Sequence, residues 1–345
     1  MTVHQHLSDD EILGRKLEIE DPHAEFDLLG QGQVPKDAIM AAIVASYRVP
    51  EKIQCSKPGC GVPHNWGFVV RLADERHIVV GNVCGRQLFP DEWDKLESSH
   101  KYDVRRQQLI RRKREFLEDH QRIATFLRTL RAPFLAVSAA RKEWREDMRA
   151  LYLQLEAAAR RDGGVLKVAV RGGGSAMNET IREIERDIGR RGRSSIADEQ
   201  LETVHVLSGA EFFVGGDPRR MVEDALETLD DMARALAAPN QTNTVMERHL
   251  RRRDDVRKLV GNAVDIYRAC KDAMSPDNLA GIARWTERLG HLPGCYAMSK
   301  DGRRLTLTTD RADRYEIAAP RLPVVDEAAL ATLWDGPLSA ETLAA

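Results

Sequence analysis

The feature that most constrains the fold of this chain is a cluster of metal-binding residue types between positions 55 and 84. Cys55 and Cys60 flank a Pro58-Gly59 turn, His64 follows closely, and Cys84 comes later; these are three of only five cysteines in the chain. Thiolate and imidazole are the ligands that tetrahedral Zn²⁺ prefers. A small two-stranded unit usually needs such a metal to stay folded. The cluster therefore predicts a zinc-binding module.

The residues between His64 and Cys84 predict the frame of this module. β-branched and aromatic runs at 66–72 and 77–80 flank the polar segment 73–76, which is typical of a β-hairpin. Gly81-Asn82 then breaks the second strand, so we expect a helix to begin near Cys84. A helix N-terminus lowers the pKa of a thiol, which would favour Cys84 as a thiolate ligand.

A cysteine knuckle, a hairpin and a helix that begins at the third cysteine resemble a treble-clef zinc finger. The runs His64–Val70 and Val80–Gly85 are also similar to a module of bacterial and prophage-type proteins, and the resemblance covers only residues 51–92. It implies a closed, structural Zn²⁺ site with four protein ligands.

Two departures from the treble-clef pattern bear on the fourth ligand. The knuckle cysteines are separated by four residues instead of two, and Gln87 and Leu88 stand where the helix would carry its second ligand. The fourth ligand is then His64 or His77. We prefer His64, because it is close to the knuckle, whereas His77 begins a strand. The predicted metal ligands are Cys55, Cys60, His64 and Cys84. Without His64, an open catalytic metal site would be conceivable.

Composition limits the class of protein. The 345 residues are 42% hydrophobic and 31% charged, with a net charge of −2, which describes a globular chain and excludes a uniformly basic nucleic-acid binder. We expect no membrane-spanning segment and no signal peptide at the acidic, polar N-terminus. An odd number of cysteines without a disulfide-like spread predicts a cytoplasmic location.

Hydrophobic periodicity predicts an α+β, mainly α fold, in which the N-terminal zinc-binding β-hairpin module sits on a long helical, coiled-coil-like bundle with small β elements. Heptad seams begin at Leu109 and Val222, each followed by a second helical segment after a break. The predicted organisation is a helical lead-in (1–50), the zinc-finger module (51–92), a first helical arm (93–162), a mixed α/β insert (163–216), a second helical arm (217–274) and a mixed α/β C-terminal region (275–345).

Four local predictions concern the lead-in and the insert. Ser8 and Glu11 have the spacing of a capping box, and Pro35 followed by 37–47 predicts a short buried helix that Pro50 ends. Within the insert, 178–188 predicts a helix. The loop 172–175 lacks the spacing and the lysine of a phosphate-binding loop, so we interpret it as a flexible connection.

Basic side chains cluster on two predicted helices. The candidate nucleic-acid contacts are Arg105, Arg106, Arg111, Arg112, Lys113, Arg114, Arg251, Arg252 and Arg253. Beside a zinc finger such runs can hold phosphates, although acidic neighbours would also make them ordinary solvated helix faces.

Three functions remain open on the sequence. The first is a non-enzymatic binding protein, of bacterial or mobile-element type, that engages DNA or RNA through the finger and its neighbouring arginines. The second is a scaffold that binds a protein partner or associates with itself through the helical seams. The third is an enzyme with its site in 163–216 or 275–345, but no nucleophile elbow, His-Glu-x-x-His or kinase signature supports it.

Overall fold

A computed structural model provides the structure of this protein, and it describes residues 7–30, 33–35, 37–171, 199–290, 292–301 and 303–334. The fold is α+β and mainly α, as predicted. The chain divides into two compact units. The N-terminal unit includes Met1–Gln121 and Asp231–Arg252, and the second unit includes Arg122–Asp230 and Arg253–Gly336.

Helices account for most of the described residues. They are α1 (Asp9–Leu13), α2 (Pro22–Glu25), α3 (Asn82–Leu88), α4 (Trp93–Thr129), α5 (Arg131–Asp147), α6 (Arg149–Asp162), α7 (Glu211–Val214), α8 (Pro218–Ala237), α9 (Asn243–Ala273), α10 (Pro276–Leu289) and α11 (Glu327–Leu333).

The described strands form three small sheets. The first, in the N-terminal unit, has the order β1 (Glu18–Ile19), β2 (Met40–Gln54), β3 (Pro63–Leu72), β4 (His77–Val80), with β1 parallel to β2 and the other pairs antiparallel. The second pairs β5 (Val165–Arg171) with β6 (Glu199–Val206). The third is an antiparallel meander of β7 (Cys295–Met298), β8 (Arg304–Thr308) and β9 (Arg314–Ala318).

The helix predicted over 37–47 is wrong, because strand β2 occupies most of this segment. Ala45, Tyr47 and Val49 are buried while the residues between them are not, which is the two-residue period of a strand. Pro50 does not end a helix. It lies within β2, where the pairing with β3 is interrupted between Arg48 and Ile53, and a proline is tolerated at such an irregularity because it has no N–H to donate.

The hairpin and the helix at Cys84 are confirmed by β3, β4 and α3. The capping box is also confirmed: the N–H of Ser8 donates to the Glu11 carboxylate at 2.7 Å, and the N–H of Glu11 donates to Ser8 Oγ at 3.2 Å. The small β elements predicted for the insert and the C-terminal region are present as β5 to β9. The predicted helix at 178–188 and the glycine-rich loop at 172–175 lie outside the described residues.

The predicted helical seams are largely buried. Fully buried seam residues, each at most 1% exposed, are Leu109, Phe116, Ile123, Leu127, Leu130, Trp144, Met148, Leu151, Leu155, Val222, Leu229, Leu236, Val256, Ala263 and Cys270. The break predicted within the first helical arm lies at Leu130, between α4 and α5, and Pro133 lies in the first turn of α5. Gly163 closes α6 in the left-handed conformation, at φ 59°.

Among the described residues, one helical stretch, Trp93–Asp147, contains an 18-residue window apolar enough to cross a membrane, and 44% of this window is buried. The core helix of a globular protein meets the same criterion. This single stretch therefore does not indicate a membrane span.

Candidate metal centre

Three of the four predicted ligands converge in the N-terminal unit. The Sγ atoms of Cys55, Cys60 and Cys84 all lie within 4.8 Å of one another. The Sγ atoms of Cys60 and Cys84 are 3.5 Å apart, well beyond the length of a disulfide bond, so the cysteines are free thiols. Together they can hold a metal ion.

Local structure explains why the knuckle brings Cys55 and Cys60 together. The N–H of Cys60 donates to the carbonyl of Lys57 at 3.1 Å, and Gly59 takes a positive φ of 74° that a side chain would disfavour. Ser56 is buried and donates from Oγ to the Leu29 carbonyl at 2.8 Å, which anchors the knuckle beside the sheet.

The spacing of the thiols fits a tetrahedral ion. A Zn–S bond of about 2.3 Å and a tetrahedral angle place two sulfur ligands about 3.8 Å apart. The observed 3.5 Å between Cys60 and Cys84 is close to this value. A hydrogen bond between the Cys60 and Cys84 thiols contributes to this convergence, and a cation would stabilise all three groups as thiolates.

The pKa of the Cys84 thiol is raised, whereas the sequence led us to expect a lowered pKa at the start of a helix. Burial, followed by the neighbouring thiols of Cys60 and Cys55, raises the pKa of Cys84 to about 12. The predicted lowering by the N-terminus of α3 is therefore outweighed, because burial disfavours an isolated thiolate. For Cys60, the hydrogen bond from the backbone N–H of Val62 is the main cause of a lowered pKa.

His64 lies outside the group of three thiols. Its Nδ1 is 3.0 Å from the hydroxyl of Tyr47, and its Nε2 is buried without a hydrogen-bond partner among the described residues. The ring packs on Gly81, the residue before α3, where a Cβ would lie 3.4 Å from His64 Cδ2. Burial lowers the pKa of His64, which favours the neutral imidazole that metals bind. A buried ring nitrogen without a partner fits a fourth ligand, which stays a prediction.

The alternative ligand, His77, is placed differently. Its ring packs against Phe26 with the centroids 4.9 Å apart, and Phe26 belongs to the cluster of Tyr47 and Val79. The thiols pack with the cluster of Phe68 and its neighbours on the other face of the sheet. His77 therefore packs on the face opposite the thiols, whereas the His64 ring lies against Gly81 at the start of α3, the helix that carries Cys84.

A polar network joins α3, which carries Cys84, to the start of α4. The indole N–H of Trp93 lies 3.1 Å from both Asn82 Oδ1 and Glu97 Oε2. Glu97 is only 4% exposed, and its carboxylate also pairs with Lys101 at 2.6 Å. Gly85 lies against the Trp93 ring, where a Cβ would meet a ring carbon at 2.0 Å. Packing between the two helices thus fixes the position of Cys84.

The first basic run is largely paired inside the N-terminal unit. Arg106 and Lys113 both pair with Asp9, at 3.1 and 2.9 Å, and both are mostly buried. Arg105 pairs with Glu247 at 2.6 Å. Arg114 pairs with Asp10, and Arg112 also has an interaction partner. Among the described residues, only Arg111 of this run is exposed and has no recorded partner.

The second run is also engaged. Arg251 lies 3.9 Å from Glu247, and Arg252 lies 3.7 Å from Asp231. Arg253, in the second unit, donates to the carbonyl of Trp334 at 3.5 Å. Acidic side chains therefore neutralise much of both runs, and Asp9, Asp10 and Asp231 among them are distant in sequence from the basic residues they pair with.

Sequence reasoning missed two residues that shape the site, Tyr47 and Gly67. A Cβ at Gly67 would lie 2.8 Å from the Tyr47 hydroxyl and 3.0 Å from His64 Cε1, so this glycine makes room for the Tyr47–His64 hydrogen bond. The sequence did contain a signal for this close approach, namely a glycine directly after Trp66 within a strand of large residues.

No protein-family model, curated protein or solved structure matches this chain. The treble-clef resemblance therefore stays a prediction, and function has to be argued from the site itself.

Proposed function

We propose that this protein is a non-enzymatic binding protein in which a structural Zn²⁺, held by Cys55, Cys60, Cys84 and His64, supports a finger that engages nucleic acid. Four protein ligands would close the coordination sphere and leave no open position for a reaction. We propose Zn²⁺ as the ion because of its donor atoms. Three thiols supply sulfur and an imidazole supplies nitrogen, and zinc binds both of these ligand types.

The observation that carries the proposal is the composition of the finger tip, residues 48–66. This segment holds three basic side chains, Arg48, Lys52 and Lys57, and a single acidic one. Arg48 and Lys52 are exposed and, within the described part of the chain, have no recorded ion-pair partner. Unpaired cations on a metal-held loop are free to neutralise phosphates, unlike the arginines that pair with Asp9.

The same tip exposes large apolar side chains. Val62 and Trp66 are 67% and 51% exposed, and Val83, next to Cys84, is 71% exposed. Exposed apolar groups beside cations are typical of surfaces that bind single strands, where bases lie on the protein and phosphates face the cations.

A scaffold function receives less support. The seams that would mediate self-association are buried within the chain, so they are not available to a second copy. If the finger tip were found to bind another protein and no nucleic acid, protein binding would replace nucleic-acid binding as the proposed function.

Binding of fluorescent 20-nucleotide DNA and RNA strands by the purified protein, followed by anisotropy between 50 and 200 mM salt, tests the proposal. We expect affinity to fall with salt, and Arg48→Glu with Lys52→Glu to reduce the slope of log affinity against log salt by about 1.4, at roughly 0.7 per phosphate contact.

Cys84→Ser should lose both bound zinc and nucleic-acid binding. Cys295→Ser is the matched control, because Cys295 is an exposed cysteine in the second unit and should retain both. Wild-type protein that contains zinc and binds none of the oligonucleotides would refute the proposed function.

A further inference from the structure

A groove beside β1 lies next to the finger tip. It has a volume of about 620 Å³ and is lined by residues that include Trp66, Asn65, Arg48, Ser46, Glu18 and Glu20. This volume is within the range of roughly 300–1,000 Å³ that small organic groups occupy in proteins. All lining residues belong to the N-terminal unit.

Trp66 gives the groove a rigid aromatic wall. Its ring lies edge-to-face on Phe68, with centroids 5.9 Å apart and an interplanar angle of 71°. Phe68 is buried and is held in turn by Trp93 at 5.6 Å. The Trp66 ring is thus supported from the core while half of the residue stays exposed. Little conformational entropy would be lost when a ligand stacks on it.

Arg48 lies beside this wall. It is the direct partner of Trp66 in the β2–β3 register, so both side chains leave the same face of the sheet. The pairing of β2 with β3 is then interrupted up to Ile53, and Lys52 lies in that interruption. An aromatic face and a nearby cation are the two elements needed to hold a base and its phosphate.

We propose that this groove binds an unpaired nucleobase of single-stranded nucleic acid, with the base stacked on Trp66 and the adjoining phosphate at Arg48. This inference rests on the proposed function and makes it specific. Bases inside a duplex already stack on their neighbours and cannot reach Trp66, so single strands should bind more tightly than duplexes.

The other groove residues suit a base rather than a second phosphate. The amide of Asn65 can both donate to and accept from a base edge. Glu18 and Glu20 are exposed carboxylates that accept hydrogen bonds but repel phosphates. They would direct the sugar–phosphate backbone towards Arg48 and Lys52.

Fluorescence anisotropy with three probes of equal length tests this inference: single-stranded oligo(dA), its duplex with oligo(dT), and an abasic strand with the same phosphates. Stacking of one base on an aromatic side chain contributes about 1–3 kcal/mol. We therefore expect Trp66→Ala to weaken oligo(dA) binding about 5- to 150-fold, and Trp66→Phe to retain most of the affinity. The abasic strand should bind wild type and Trp66→Ala equally weakly.

Leu153→Ala is the matched control, because Leu153 is an apolar residue as exposed as Trp66, at 52%, but lies in the second unit and does not line the groove. It should bind oligo(dA) like the wild type. If Trp66→Ala binds oligo(dA) like the wild type and with the same salt dependence, base stacking is refuted while nucleic-acid binding stands. If neither protein binds any probe, both proposals fail. Equal circular dichroism and zinc content of the variants exclude misfolding as the cause.

Discussion

At the residue scale, single atoms decide which side chains can approach the thiol cluster. Gly67 lets the Tyr47 hydroxyl reach His64, and Gly81 lets the His64 ring lie against the start of α3. Both glycines are visible in the sequence, but their role depends on side chains that come from other strands. The three converging cysteines were therefore recognisable in the sequence, whereas the residues that support them were not.

Gly85→Ala should destabilise the N-terminal unit. The new methyl group would meet the buried Trp93 ring at 2.0 Å, and overpacking of this kind costs about 1–3 kcal/mol. Gly61→Ala is the control, because no atom lies within 4 Å of its Cβ position. Urea unfolding should show a lower free energy of unfolding for Gly85→Ala only. Equal values for the two variants would contradict the packing of α3 on Trp93.

His100 should make stability depend on pH. It is 4% exposed, and burial, with a smaller contribution from Arg15, lowers its pKa to about 4 from the usual 6.5. The unfolded chain therefore binds the proton more tightly. The stabilisation is fully present above pH 6.5 and is lost as the pH falls towards 4, by on the order of 3 kcal/mol at 1.36 kcal/mol per pKa unit.

The measurement is the free energy of unfolding at pH 7.5 and pH 5 for the wild type and two variants. His100→Gln should show a smaller loss between the two pH values than the wild type. His23→Gln should match the wild type, because His23 is exposed. An unchanged pH dependence in His100→Gln would show that other groups account for the acid sensitivity.

At the element scale, long periodic segments were predicted more reliably than short apolar runs. The seams of α4 to α6, α8 and α9 have long apolar periods, and long periods identify helices well. The run from Ala41 to Tyr47 is short and rich in alanine, so its helix propensity suggested the wrong element. Pairing with β3 overrode this propensity, because it buries Ala45 and Tyr47 in the sheet.

The arginine run on α4 contains buried, ion-paired side chains and exposed side chains. Charge reversal should affect the stability of the protein differently at these two kinds of position. Arg106→Glu should destabilise the protein by about 1–3 kcal/mol, because it places a carboxylate against Asp9 at a mostly buried position and removes the hydrogen bond to Asp9. Arg111→Glu should leave stability unchanged, since Arg111 is exposed and has no recorded partner among the described residues.

Thermal unfolding of both variants checks this difference. If the run binds phosphates as well, Arg111→Glu should also lower the affinity for oligonucleotides without a change in melting temperature. A loss of stability in Arg111→Glu equal to that in Arg106→Glu would contradict the observed ion pairs.

At the scale of the whole molecule, the metal should stabilise only one of the two units. The three thiols lie in the N-terminal unit, whose sheet is small, whereas the second unit contains the long buried seams of α5, α6 and most of α9. A chelator should therefore increase amide hydrogen exchange in β2, β3 and α3 and leave α5 and α10 protected. Equal loss of protection in both units would show that the ion stabilises the whole chain or has a different site.

The sequence by itself determined the mainly α fold class, the helical seams, the hairpin and the identity of Cys55, Cys60 and Cys84 as neighbours. These features are local: they depend on periodicity and on ligand spacing over a few tens of residues. Tertiary structure decided that 40–54 forms a strand, that Asp9 neutralises the arginines of α4, and that Trp66 lies beside Arg48 in a groove. Each of these depends on pairing between segments distant in sequence, and spacing within one segment carries no information about such a partner.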